Sequence, residues 1–243
     1  MYYVSGMTNA TMKSLGILRL DRFLPPGTVA ADPPDGSILN PSTFDFPTIF
    51  EVVEGAGVER VVKGDVALEP AFIAAAKRVI DRGAVVIATT CGFAIRHQRA
   101  ISQAVSVPVV TSSLLLLPLL LRQLPPKAKI AVLTYDSRHC SEDLFDLEKR
   151  EDRGRIVVGG IEGGKFWHDE LKSPPPPVDV QSIEADVAAC IQRLRSSKPE
   201  IALILFECAA FPSVSASIRR LTRLPLYDIT DLCRMSMAAV RQG

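Results

Sequence analysis

Short apolar runs alternate along this chain with stretches in which apolar residues return every three or four positions. Residues 15–20, 48–53, 84–88, 107–110, 130–133, 155–158, 201–205 and 226–229 read as strands, most of them apolar enough to be covered on both faces. Between them, residues 70–81 place Phe72, Ala76, Val79 and Ile80 on one helical face, and residues 182–195 do the same with Ile183, Val187, Cys190, Ile191 and Leu194. Helices are also predicted over 93–105, 141–149 and 214–221, with a last one from about residue 231. Strand–helix alternation of this kind predicts an α/β fold with parallel sheets flanked by helices.

The pattern runs twice. Cys91 and Cys208 stand 117 residues apart, and so do Pro108 and Pro225, Ile87 and Ile204, and Ile101 and Ile218. Each copy reads as apolar strand, cysteine, amphipathic helix, then a hydrophobic–Pro–hydrophobic strand: AVVIATTCGF answers IALILFECAAF, and VPVV answers LPLY. The prediction is two pseudo-symmetric lobes, each a short, mainly parallel sheet flanked by helices, with the active site between them. The first lobe is expected over residues 1–111 and the second over 112–213.

A core cysteine belongs inside a strand, whereas both of these sit where a strand ends and a helix begins. Ligands bind outside the carboxyl ends of strands in open parallel sheets. Amides and the helix dipole at that position favour an anion, so a thiol there is expected to titrate below its usual value of about 8.5. Two thiols facing across a cleft suit one reaction well. One removes a proton from a carbon beside a carbonyl, and the other returns a proton to the opposite face.

Charge and composition narrow the classes. The 28 basic and 27 acidic residues nearly cancel, which gives no reason to expect nucleic acid or an anionic membrane as partner. Five cysteines at wide spacing, with no CxxC, fit a reducing compartment and a cytoplasmic location. The apolar stretch 107–121 is shorter than the roughly 20 residues a spanning helix needs and holds Pro108 and Pro118, so it reads as a strand followed by a helix. Residues 1–14 lack the build of a secretory signal and read as a leader before the first strand. His97 and His168 are isolated, so no metal site is expected. The paired glycines at 159–160 and 163–164 lack the strand–glycine–helix context of a phosphate loop.

Thr-Thr-Cys-Gly at 89–92, Glu-Cys-Ala-Ala-Phe-Pro at 207–212 and Leu-Pro-Leu-Tyr-Asp at 224–228 resemble the aspartate/glutamate/hydantoin racemase superfamily. The resemblance extends from about residue 15 to the C-terminus. It implies cofactor-independent 1,1-proton transfer by Cys91 and Cys208 on a small amino acid or hydantoin-type compound. It further implies a homodimer, and a C-terminal segment that returns to the first lobe after about residue 214. The chain departs from the family in three places. The Cys-Thr-His of glutamate racemases is Cys208-Ala209-Ala210 here, their Asp-Ser-Gly is Asp21-Arg22-Phe23, and the usual Cys-Asn-Thr is Cys91-Gly92-Phe93. These losses put glutamate in doubt. They leave room for the hydantoin-like branch or an uncharacterised one. The alternatives are a decarboxylase or a cis–trans isomerase of the same superfamily, the presence of the second cysteine counting against the decarboxylase, or a binding protein that has lost catalysis, which the missing His and Asn support.

The remaining candidates surround a substrate bearing a carboxylate or imide carbonyl. Thr89, Thr90 and Gly92 offer hydroxyl and amide donors, or simply cap the next helix. Thr134 ends the strand that restarts the pattern. Ala209 adjoins the second cysteine, and Asp21 is placed to orient a thiol. Asn40 lies in a loop that forms either a wall of the cleft or an ordinary turn. Glu207 either raises the neighbouring thiol or turns away into an ion pair. Cys190 and Cys233 read as core residues; Cys140 stands beside His139, but adjacent residues rarely face each other, so no nucleophile pair is expected there.

Overall fold

A computed structural model describes residues 13–25, 27–28, 31–172 and 174–241, with the side chain of the last left aside. The leader expected over residues 1–14 lies almost wholly outside the described residues. In the first sheet β1 (Ser14–Arg19), β2 (Thr48–Val52), β3 (Ala84–Thr89) and β4 (Val109–Val110) run in the order β2-β1-β3-β4. In the second, β5 (Lys129–Thr134), β6 (Ile156–Gly160), β7 (Ile201–Phe206) and β8 (Leu226–Tyr227) run in the order β6-β5-β7-β8. All pairings are parallel.

The duplication read from the sequence holds down to single bonds. β1 slips its register against β3 between Ser14 and Leu15, and β5 slips against β7 between Lys129 and Ile130. The amide of Ile87 donates to the carbonyl of Pro108 at 2.9 Å, and that of Ile204 to Pro225 at 2.9 Å. A proline serves here because its carbonyl is needed by the neighbouring strand while its missing N–H lies at the start of a strand.

Burial of β1, β3, β5 and β7 explains their near-continuous apolar sequences; Ile17, Ile87, Val132 and Ile204 are all fully buried. The helix Glu69–Asp81 turns Phe72, Ala75, Ala76 and Val79 inward and starts with Pro70 in its first turn, where no backbone N–H is needed. It lies close on β1 because Gly16 has no side chain; a methyl there would run into Val79 and Ala84. The long helix Val180–Ser197 sits the same way over Gly159, against Cys190 and Leu194, so Cys190 is a core residue as its spacing predicts. Asp179 caps this helix by accepting from the amides of Gln181 and Ser182, a contribution of about 1 kcal/mol.

Three expectations need correction. The segment 141–149 forms only a single 3-10 turn at Glu142–Leu144, and a four-residue helix follows at Arg150–Arg153. Of that segment only Leu144 and Phe145 are buried. With so few apolar anchors, the tertiary packing that sustains most helices is missing. Second, residues 93–105 begin as the 3-10 turn Gly92–His97 before the α-helix Gln98–Ala104. Third, the chain does not leave the second lobe at residue 214. The helix Ser215–Thr222 leads into β8, which pairs with β7, and only the last helix, Ile229–Arg241, packs back on β3 of the first sheet. The sequence also hid the short helix Lys165–Glu170, whose six residues are too few to display a period.

Candidate active site

The exits of β3 and β7 meet between the lobes. Cys91 follows β3 and Cys208 follows β7, and both are half-buried. Their turns match: the amide of Ala94 donates to the carbonyl of Cys91 at 3.0 Å, and that of Phe211 to Cys208 at 3.1 Å. The exits are locked together where Gly92 lies against Glu207. A methyl at Gly92 would overlap both the carbonyl oxygen and the carboxyl of Glu207. Close by, the hydroxyl of Ser113 donates to the carbonyl of Phe206 at 2.6 Å. Each cysteine is thus adjacent in sequence to one member of this contact.

Glu207 points inward. It is 1% exposed; its Oε2 accepts from the Thr134 hydroxyl at 2.7 Å, and its Oε1 has no protein partner. Burial without a counter-cation raises its carboxyl to about 7, and the Thr134 bond offsets part of that rise. The thiols follow suit. Burial, then the charge of Glu207, pushes Cys91 up to about 12, against the pull of the Phe93 and Ala94 amides. Cys208 is driven well above the ordinary thiol range by burial and then Glu207; the Ala210 amide opposes this, while the nearby Cys91 and Glu170 add to it. The expectation of lowered thiols is therefore corrected. A 3-10 turn carries little dipole, and desolvation beside a carboxylate outweighs a pair of amides.

The other candidates separate by what their atoms already do. Thr134 is fully buried and its hydroxyl is engaged by Glu207, so it positions that carboxyl and does not face a ligand. The Thr89 hydroxyl lies 2.7 Å from the carbonyl of Thr111 and 2.9 Å from that of Cys91, which ties β3 to the following turns and leaves no free donor. Thr90 is half-buried and its Oγ1 accepts from the amide of Leu20 at 3.2 Å, leaving its own O–H available. Asn40 is the turn residue, not the wall: its side chain accepts from the amide and hydroxyl of Ser42 and donates to the Pro33 carbonyl. Asp21 does not orient a thiol. Its carboxylate accepts from the amides of Phe23 at 2.9 Å and Gly55 at 3.1 Å, and so builds the loop after β1. Ala209 is buried next to Cys208 and contributes only its small size. Among the remaining cysteines Cys140, Cys190 and Cys233 are buried.

Sequence reasoning missed a second layer. Arg22, in the loop shaped by Asp21, crosses between the lobes to make a two-pronged ion pair with Glu170, at 2.6 and 3.0 Å. Tyr135, just after β5, donates to the Trp167 carbonyl at 3.0 Å and stacks near the Trp167 ring at 6.4 Å between centroids. Burial, then the charges of Glu170 and Cys208, raises the Tyr135 hydroxyl. Tyr135 directly follows β5 and Arg22 lies three residues after β1, and position beyond a strand end is the signal that finds them; Glu170 sits in the helix that showed no period. Among the described residues no cluster of three or more His, Cys, Asp or Glu is arranged to hold a metal, and no helix is long and apolar enough to cross a membrane.

Known proteins share this architecture. An arylmalonate decarboxylase variant in a liganded form superposes with a TM-score of 0.55 over 96% of this chain and 94% of that one, at 14% identity. The aspartate racemase of Picrophilus torridus superposes with a TM-score of 0.57 over 93% and 94%, at 13% identity. The chain therefore has the fold of the aspartate/glutamate racemase superfamily. No family model matches the sequence. Among curated proteins it is 27% identical to dimethylsulfoniopropionate lyase 7 of Emiliania huxleyi (strain CCMP1516) over 93% of this chain and 67% of the relative. It is 28% identical to the dimethylsulfoniopropionate lyase of Durusdinium sp. clade D over 90% and 72%.

Proposed function

We propose that the protein is a lyase that removes a proton beside a carboxylate and expels a sulfide from the next carbon, with dimethylsulfoniopropionate as the substrate. The racemase reading drawn from the sequence yields to this one, because the relatives that align over nine-tenths of the chain are named as lyases of that compound. The observation that carries the proposal is the charge around the thiols. Cys91 and Cys208 are held protonated by burial and by Glu207, with Glu170 adding to the effect. A dicarboxylate would bring more negative charge and raise them further. A substrate with a sulfonium group brings a cation to the same place and lowers them.

In the proposed step Cys91 loses its thiol proton to solvent as the sulfonium binds, and the resulting thiolate takes the proton from the carbon next to the carboxylate. The electron pair of that C–H bond forms the C–C double bond, and the C–S bond breaks with its pair going to sulfur. Acrylate and dimethyl sulfide leave, and Cys91 is left as the thiol. No oxidant is needed. Cys91 is favoured as the base because two amides, of Phe93 and Ala94, face its sulfur, whereas Cys208 has that of Ala210. A general base in such a position contributes a factor of about 10² to 10⁴.

The test is gas chromatography of the headspace over protein and dimethylsulfoniopropionate, with acrylate measured in solution. Equal amounts of both products, lost in Cys91→Ser, are expected. The paired thiols themselves favour a second reading, two-base inversion at a stereocentre. It would take precedence if no sulfide is released while the protein exchanges the α-hydrogen of a chiral amino acid or hydantoin for deuterium.

A further inference from the structure

The geometry points to Arg22 and Glu170 as a clamp that selects zwitterions, Arg22 taking the substrate carboxylate and Glu170 then facing its cationic end. This rests on the lyase reading for the identity of the substrate and goes beyond it by assigning the residues that set charge specificity.

Among the described residues two arginines of the first lobe reach the second. Arg96 donates to the backbone carbonyl of His139 at 3.1 Å as well as to the Asp143 carboxylate at 3.1 Å, so one of its partners is fixed main chain. Arg22 is different. Its two hydrogen bonds both go to one side-chain carboxylate, in the fork-to-fork arrangement that a free carboxylate reproduces. Glu170 thus holds on Arg22 the place that a substrate carboxylate would take.

Glu170 is built for exchange rather than for fold stability. It is the last residue of the helix Lys165–Glu170, the end at which a helix disfavours an anion. Its side chain is 14% exposed and that of Arg22 is 29% exposed, so the pair is shielded enough to matter yet open at one side. Arg22 itself is held in position. The turn after it has Phe23 in the left-handed region at φ 49°, sustained by the two amide bonds to Asp21. The charge of Glu170 is felt at both Cys91 and Cys208, and at Tyr135, which also feels Cys208. When a carboxylate displaces it from Arg22, Glu170 becomes an unpaired anion next to the Tyr135–Trp167 wall. An anion beside aromatic faces favours a sulfonium.

Calorimetry on the Cys91→Ser protein, in which turnover is removed, tests the clamp with three probes: dimethylsulfoniopropionate, propionate and trimethylsulfonium. Arg22→Gln is expected to weaken the first two by about tenfold or more and to tighten the third several-fold, because Glu170 is freed. Glu170→Gln is expected to weaken dimethylsulfoniopropionate and trimethylsulfonium while tightening propionate several-fold, because Arg22 is freed. A gain of affinity cannot come from misfolding. Equal losses for all three probes, no change for any, or no binding of any to the Cys91→Ser parent would overturn the clamp. Sulfide release is read separately with both thiols intact. Its absence overturns the lyase reading, while the contrast among probes still decides the clamp.

Discussion

The two lobes are copies in backbone and strangers in chemistry. Strand order, the slipped register pair and the proline carbonyl bond repeat at matching positions. The residue before each cysteine does not. Both amides there bond back to the central strand, Thr90 to the Leu18 carbonyl at 3.0 Å and Glu207 to Leu133 at 2.8 Å. In the first lobe that place holds a half-buried hydroxyl; in the second it holds a buried carboxyl with one unpartnered oxygen. The repeat thus holds the paired thiols; burial raises both, and the carboxyl at a single divergent position raises them further. Because Glu207 reaches across to Gly92, one carboxyl serves both thiols.

The sharpest way to break that comparison is to remove each thiol in turn. Inequivalent lobes predict inequivalent losses: Cys91→Ser should lower sulfide release by about 10³-fold, within the usual range for a general base, and Cys208→Ser by about tenfold. Initial rates at saturating substrate decide it. Equal losses would mean that the lobes are chemically symmetric after all and would return the protein to the two-base mechanism.

What the sequence could and could not tell follows the same division. Sheet class, the 117-residue repeat and the location of Cys91 and Cys208 were legible because apolar runs and prolines report burial and strand starts directly. The state of the thiols was not, since it depends on where Glu207 points, and that is set by contacts across the lobes. Thr89 and Thr134 looked like ligand donors because polar residues at strand ends often are; their hydroxyls are taken by Thr111, Cys91 and Glu207. The boundary at 214 failed because the repeat itself requires a fourth strand in the second lobe, the partner of the one at Val109–Val110. Arg22 and Glu170 come from segments far apart in the chain, so no local spacing announces them.

The next test sharpens the role of the divergent position. The Glu207 carboxyl is raised from 4.5 to about 7 by burial, so the folded protein binds its proton more tightly than the unfolded chain does. Its contribution is neutral below about pH 4.5 and becomes a penalty as pH rises through 7. At 1.36 kcal/mol per unit, that penalty reaches about 3 kcal/mol at pH 8. Glu207→Gln should escape it. Urea unfolding is expected to show the variant and wild type alike near pH 4.5 and the variant more stable at pH 8. The same substitution should lower the pH at which the thiols ionise, read as a thiolate absorbance titration. Parallel stability curves for the two proteins across this pH range would show that Glu207 is not buried as an acid.

The smallest effect probes the contact that lets one carboxyl serve two thiols. Gly92 and Ala209 occupy matching places, each directly after its cysteine, but only Gly92 faces the opposite lobe's glutamate. Adding a methyl at Gly92 must displace the Glu207 backbone, since the overlap includes its carbonyl oxygen and not only the tip of a side chain. Gly92→Ala should therefore destabilise by about 1–3 kcal/mol, the usual cost of overpacking a filled interior. It should also move Glu207 away from Cys91, so the Cys91 thiol would titrate lower while Cys208 changes less. The mirror substitution, Ala209→Gly, removes a buried methyl that touches no counterpart glutamate and should cost about 1 kcal/mol with both thiols unmoved. Thermal unfolding and alkylation rates against pH, measured on both variants, separate the outcomes. If Gly92→Ala and Ala209→Gly behave alike, the lobes are not joined through this contact, and the sharing of Glu207 between the thiols fails with it.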